Sequence, residues 1–252
     1  MQRWYDISSN PNAPEVIQAR RSALTSARLG ALINSRVNYL CSLVKEKNVL
    51  DIGVVEHTIE AVNNPEWLHK HLCQSAKTCL GVDILEEEVH KLRSFGFNVI
   101  CTDVIKEPLE QKFDVIICGE VIEHLDSPGH LLESAVKMLA PGGKLVLSVP
   151  HPWYINVTLK NMFNGVPYID NADHVSWFDP CTLYEMSQRH GLVLARFGGI
   201  AVNNSSNLLT RVFFGLIPLF ISLGLKSEVF AKTMIYEFVL ADNKYEQAPV
   251  TD

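Results

Sequence analysis

Three side chains in one short stretch have the types and spacing for chemistry. Glu120, Glu123 and His124 stand in GEVIEHL, directly after the apolar run Phe113–Cys118. On a helical turn, positions i, i+3 and i+4 share one face. Two carboxylates and an imidazole can hold a hard divalent cation such as Mg2+, with positions left open for a substrate oxygen. Such an ion lowers the pKa of a bound hydroxyl and orients it for attack. His174, in the stretch Asp170–Phe178, is a candidate fourth ligand. Without a metal the roles change. Glu120 then meets a ligand, Glu123 caps a helix, and His124 or His174 serves as a base, because imidazole titrates near neutral pH. Both readings stand on the sequence. His151, in VPHPWY, is the next base candidate and equally a plain loop residue.

A second set is acidic. Asp51 lies in NVLDIG, Asp83 in GVDI and Asp103 in NVICTD, each at the end of a short apolar run. Gly53 has no Cβ and lets backbone approach a ligand. A carboxylate at the position of Asp83 can accept two hydrogen bonds from ribose hydroxyls. Ile84 would lie flat on an adenine, and Asp103 can accept from an adenine amino group. A single Asp after a strand is often only a cap or turn residue. Three in order, at successive strand ends, point to an adenosine site.

These residues need a scaffold that brings strand ends together. The apolar runs at 48–53, 81–84, 98–103, 113–118 and 144–149 read as buried strands. Between them lie helical patterns at Glu86–Phe95 and at Leu131, Leu132, Ala135, Val136 and Leu139, the latter stopped by Pro141-Gly142-Gly143. The alternation predicts an α/β fold with a doubly wound, mostly parallel sheet. Leu192–Phe197 and Thr233–Ala241 add two late strands. Glu15–Lys47 predicts two N-terminal helices that cover the sheet or the ligand mouth. Pro150–Asp179 reads as a long loop whose aromatics, Trp153, Tyr154, Phe163, Tyr168, Trp177 and Phe178, either stack on a ring or pack on the sheet.

The motifs VLDIG, GVDI, TDV, FDVIICGEVIEHL and LAPGGKLVLSVP together resemble the successive motifs of class I S-adenosylmethionine-dependent methyltransferases. The resemblance spans 48–150 strongly and the C-terminal part more weakly. It implies a Rossmann-like methyltransferase fold with a seven-stranded sheet. It also implies S-adenosylmethionine held by Asp51, Gly53, Asp83, Ile84, Asp103, Val104 and Cys118. The chain is then a single domain: arm and helices over 1–47, a cofactor half over 48–150, and a substrate half over 151–252. The E-x-x-E-H motif is similar to that of ubiquinone-pathway O-methyltransferases and small-RNA 2′-O-methyltransferases. There, with a distant His, it implies a metal, here Glu120, Glu123, His124 and His174. One departure stands out: where the family has D-x-G-x-G, this chain has DIGVV, with Val55 in place of the second glycine. Either the loop takes a wider path, with Glu56 or His57 facing the cofactor, or cofactor binding is weak or lost.

The expected activity is O-methylation of a small molecule, glycan or lipid-linked precursor, with Glu120, His124 and His174 at the reacting end. Two alternatives are a metal-dependent RNA 2′-O-methyltransferase and a degenerate member that only binds a partner. The net charge of −6 weighs against a polyanion, although Arg20, Arg21, Arg28 and Arg36 can form a local patch. Six cysteines without a CxxC pair predict reduced, mostly buried thiols and a cytoplasmic setting. The first fourteen residues have no apolar core of the signal-peptide kind. The most apolar tract, 212–225, is too short to span a bilayer and Pro218 should break it, so it reads as a buried lid or a peripheral membrane contact.

Overall fold

The computed structural model describes residues 3–56, 59–165, 171–201 and 215–241. Its strands are β1 (Asn48–Ile52), β2 (Thr78–Asp83), β3 (Val99–Cys101), β4 (Phe113–Gly119), β5 (Leu139–Pro150), β6 (Leu192–Gly199) and β7 (Thr233–Leu240). They form one sheet in the order β3-β2-β1-β4-β5-β7-β6. β7 is inserted between β5 and β6 and runs antiparallel to both, while β1 to β5 pair in parallel. Strand order reverses between β1 and β4, so a crevice opens there beyond the carboxyl ends.

Alternating side chains explain why β4 is apolar throughout. Val115 and Ile117 enter one core with Leu40, Val44 and Leu72. Ile116 and Cys118 enter the other, with Leu131, Leu132 and Met138. Each face is closed by helices, as parallel sheets require. Cutting Ile116 back to Ala would cost about 2–5 kcal/mol.

The helices are α1 (Trp4–Ile7), α2 (Pro14–Ala27), α3 (Arg36–Val44), α4 (Leu68–Ser75), α5 (Glu86–Ser94), α6 (Pro128–Met138), α7 (Ile155–Phe163), α8 (Pro180–Arg189) and α9 (Ile217–Ser222). The expected pair over 15–47 is α2 and α3. Between them the chain laces along β6, with Leu29 N–H donating to Phe197 O and Ile33 N–H to Gly199 O. That covers a sheet edge. Ser35 caps α3 by accepting from Asn38 N–H. On the far side of α3, Tyr39 donates to buried Glu237 at 2.5 Å, and Lys144 pairs with the same carboxylate at 2.9 Å.

Three local expectations are corrected. The loop over 150–179 contains α7, whose Leu159, Met162 and Phe163 are exposed. Pro218 does not break a helix but stands in the first turn of α9, where its missing N–H costs nothing. Two of the six free thiols, Cys101 and Cys181, are exposed. Residues 212–214 of the apolar tract, like His57, Tyr168 and Asp170, lie outside the described residues. Among the described residues, no helix is long and apolar enough to cross a membrane.

Candidate functional site

A cavity of about 700 Å³ lies beyond the ends of β1, β2, β3 and β4. Asp51, Asp83, Asp103, Glu120, His124 and His174 all line it. The three strand-end carboxylates are already engaged. Asp83 accepts from Ile84 N–H and Leu85 N–H through one oxygen and from Val55 N–H at 2.9 Å through the other. Asp51 Oδ2 faces His69 Nδ1 at 2.8 Å. Asp103 pairs with Lys106, whose hydrogen bond holds the carboxyl below its ordinary value. A carboxylate fixed in this way presents its remaining lone pairs in one direction.

The departure at Val55 has a structural answer. Gly53 takes φ +78, a left-handed turn natural for glycine, and a Cβ there would meet Val121 Cγ2 at 2.4 Å. After it, Val54 is buried and its carbonyl accepts from the Trp67 indole at 3.1 Å. Val55 packs against the small core of Val54, Trp67, Val89, Leu92 and Val99. The loop is thus tied down by Trp67 and Asp83, and both Val55 and Glu56 line the cavity.

The other side of the cavity is built differently. Glu120 has φ +57, and its N–H donates to Ser148 O at 2.7 Å. A non-glycine residue in that region stores strain, which gathers at functional sites. The turn that follows, Ile122–His124, is a single 3-10 turn. It sends Glu123 inward, 1% exposed, and neither of its carboxylate oxygens has a hydrogen-bond partner among the described residues. Burial pushes the Glu123 carboxyl up to about 7, with Glu120 adding and Arg36 opposing. The Glu123 carbonyl accepts from Val175 N–H and Ser176 N–H, which docks the loop carrying His174. His174 stands edge-on to His124, ring centroids 4.7 Å apart. His124 Nδ1 faces Asp173 Oδ2 at 3.0 Å. Glu123, His124 and His174 each bring a donor atom within 4.8 Å of the others, and Glu120 lies outside that group.

Of the remaining expected residues, Ile84 lines the cavity and is 68% exposed, an apolar face left open. Val104 also lines it, although its side chain belongs to the main core. Cys118 is not brought to the cavity. One residue before the strand end, its side chain turns into the core, fully buried. His151 is not brought there either: it is buried beside Ala231 O, and burial lowers its pKa. Trp177 stands 6.2 Å from His174, while Phe178 is core.

Two contributors escaped the sequence reading. Arg36 lines the cavity, and its buried Nε has no partner among the described residues. Gly119 makes room for it, since a Cβ there would lie 2.4 Å from Arg36 Nη2. Asp173 was visible only as an acid next to His174.

A crevice at the strand-order reversal, with acids at three strand ends, defines a nucleotide-type α/β site. The sequence model of a methyltransferase-domain family matches residues 25–196, and the chain belongs to that family. It is a methyltransferase whose cofactor is S-adenosylmethionine. The ubiquinone biosynthesis O-methyltransferase of Coxiella burnetii is 27% identical over 169 residues, covering 62% of this chain and 68% of that protein. The enzyme of the same name from Hydrogenovibrio crunogenus is 23% identical over 173 residues, 64% and 68% of the two chains. In fold, the chain is similar to the magnesium protoporphyrin IX methyltransferase of Synechocystis, solved with bound SAH: TM-score 0.54, 15% identity, 94% of this chain and 92% of that one. The CcbJ methyltransferase of Streptomyces caelestis gives TM-score 0.55, 15% identity, 81% and 93%.

Proposed function

We propose that this enzyme methylates a hydroxyl oxygen of a small-molecule, glycan or lipid-linked acceptor. One observation carries the reading: the strand-end acids and the His124–His174 pair line the same cavity. The residues suit the cofactor. Asp83 and Asp103 offer acceptors for ribose and adenine, the open Ile84 face suits a ring, and Arg36 offers the cavity a cation for a carboxylate. Gly53 keeps the backbone close to the methionine end. S-adenosylmethionine supplies an electrophilic methyl on sulfonium, and its displacement depends mainly on alignment.

The chain's own residues then handle the acceptor proton. With Asp173 taking the Nδ1 hydrogen, His124 keeps Nε2 basic. The arrangement is an orienting acid behind a base. His174, docked by the Glu123 carbonyl, completes the acceptor side. Glu120 borders both ligands. Arg20 and Arg28 are paired with Glu185 and Glu228, which favours a small acceptor over a polyanion.

A metal-assisted version is favoured by Glu123. A buried carboxylate with no hydrogen-bond partner among the described residues, beside two imidazoles, suits a cation, and Glu123, His124 and His174 would hold it. A bound Mg2+ would supply Lewis acidity toward the acceptor oxygen.

Calorimetric titration of the full chain with S-adenosylmethionine and its demethylated product tests the site, and a methyl-labelled cofactor screened against phenolic and sugar hydroxyls tests the acceptor. Binding that survives Asp83→Ala undiminished would count against the ribose role. Methyl transfer unaffected by a chelator would count against the metal.

A further inference from the structure

Against the β1 end of the cofactor cavity, with His69 in the cavity lining, lies a second cluster to which methyl transfer assigns no role. His69 and Cys73 stand one turn apart on α4, and Cys79 faces them from β2. The donor atoms of these three residues lie within 4.8 Å of one another. His69 is 1% exposed and Cys79 is buried. Four features mark a built site. The i, i+4 spacing puts His69 and Cys73 on one helix face. Asp51 Oδ2 lies 2.8 Å from His69 Nδ1, which turns the ring so that Nε2 points toward Cys73. Cys73 Sγ sits 3.4 Å from that Nε2. Gly81 leaves the space for the ring, since a Cβ there would meet His69 Cε1 at 2.7 Å.

We infer that His69 Nε2, Cys73 Sγ and Cys79 Sγ bind one borderline-soft divalent cation of the zinc type, with Asp51 orienting His69. Tetrahedral zinc with bonds of about 2.0–2.3 Å sets its N and S donors roughly 3.6–3.8 Å apart. The His69–Cys73 pair, at 3.4 Å, is close to that spacing, and Cys79 Sγ lies within 4.8 Å of both. Two thiolates and a neutral imidazole balance the charge of a 2+ ion, with the Asp51 carboxylate behind the ring. The carboxylate behind the imidazole is the usual outer support of a ligating histidine. Water takes the fourth position. Binding displaces protons from the donor atoms and so strengthens as pH rises. Because Asp51 also lines the cofactor cavity, metal and cofactor share one carboxylate.

The test is metal binding by the reduced full-length chain. Zinc alone is titrated against a chromophoric chelator, and cobalt is added in parallel. The expected result is one thiolate-bound ion per chain, with a sulfur-to-cobalt charge-transfer band. That band can come only from thiolates, so it separates this cluster from Glu123–His124–His174. Cys73→Ser and Cys79→Ser should each weaken the band, and the double serine variant should abolish it. Asp51→Asn should weaken affinity about 10–100-fold while keeping it. Zinc should also protect Cys73 from alkylation. No charge-transfer band in the folded wild-type chain overturns the proposal. So does an undiminished band in the double serine variant, or ready Cys73–Cys79 disulfide formation that zinc does not slow. Circular dichroism of each variant shows whether a lost band reflects lost ligands or lost fold, and Cys79→Ala with Cys73 intact provides a second, smaller perturbation.

Discussion

The two sides of the cavity are built on opposite terms. On the β1–β3 side every carboxylate has partners: Asp83 has three backbone N–H groups, Asp51 has His69, and Asp103 has Lys106. On the β4–β5 side, Glu123 is buried with no hydrogen-bond partner among the described residues, Glu120 is held at positive φ, and two imidazoles face each other edge-on. The first side is preorganised for a ligand that always looks the same. The second keeps groups under tension whose ionisation a ligand can change. Perturbed groups gather where chemistry is done.

If this contrast is real, variants on the two sides should fail differently. The largest effect belongs to the base. His124→Ala should cut kcat by roughly 10²–10⁴-fold while cofactor affinity stays within a few-fold, as expected for lost proton transfer. His174→Ala should follow the same pattern. An equal loss in cofactor affinity would erase the distinction between the sides.

Glu123 gives the next effect. Its folded pKa of about 7 exceeds the unfolded carboxylate value of about 4.3, so the folded state holds the proton longer. Stability from this group is therefore undiminished below about pH 4 and is lost as pH rises toward 7. The total is on the order of 3 kcal/mol. Urea unfolding in chelator across that window should show this fall in wild type and lose it in Glu123→Gln. Mg2+ that raises the wild-type midpoint at about pH 8 but not at pH 5 would favour the metal-assisted reading, since a cation favours the ionised form.

Asp83→Asn comes third. Hydrogen bonds to a charged acceptor are worth about 1.5–3 kcal/mol, so cofactor affinity should drop roughly 10–100-fold, with kcat at saturation little changed. Calorimetry reads the first and steady-state kinetics the second. A kcat loss larger than the affinity loss would move Asp83 to the reacting side.

How much of this was readable beforehand follows from locality. Buried parallel strands read as apolar runs, so β1 to β5 stood out, and Asp51, Asp83 and Asp103 at the ends of the first three came with them. What the runs do not state is which ends share a cavity or how far apart side chains lie. Arg36 arrives from α3, Asp173 from the loop after α7, and His69 from α4, each placed by packing that no local pattern encodes. INVTLKNMF carries Ile155, Leu159, Met162 and Phe163 at helical spacing, but Pro150 and Pro152 just before it point to a loop, and α7 forms all the same. Cys118 sat at a strand end by position, but the two-residue period of the strand turns it into the core.

The smallest effect isolates strain from charge. Glu46 and Glu120 both have positive φ, 58° and 57°, but Glu46 sits in the turn between α3 and β1, while Glu120 lines the cavity. Left-handed backbone costs a non-glycine residue about 1–2 kcal/mol, and glycine gives back roughly 0.5–1 kcal/mol of that through unfolded-state entropy. Glu46→Gly and Glu120→Gly should therefore each raise stability by about 0.5–1 kcal/mol relative to the matching Ala variants. Methyl transfer should be kept in Glu46→Gly and reduced in Glu120→Gly, because only the second carboxylate borders the reacting groups. Equal activities in the two glycine variants would mean that the strained turn after β4 serves only to route the chain.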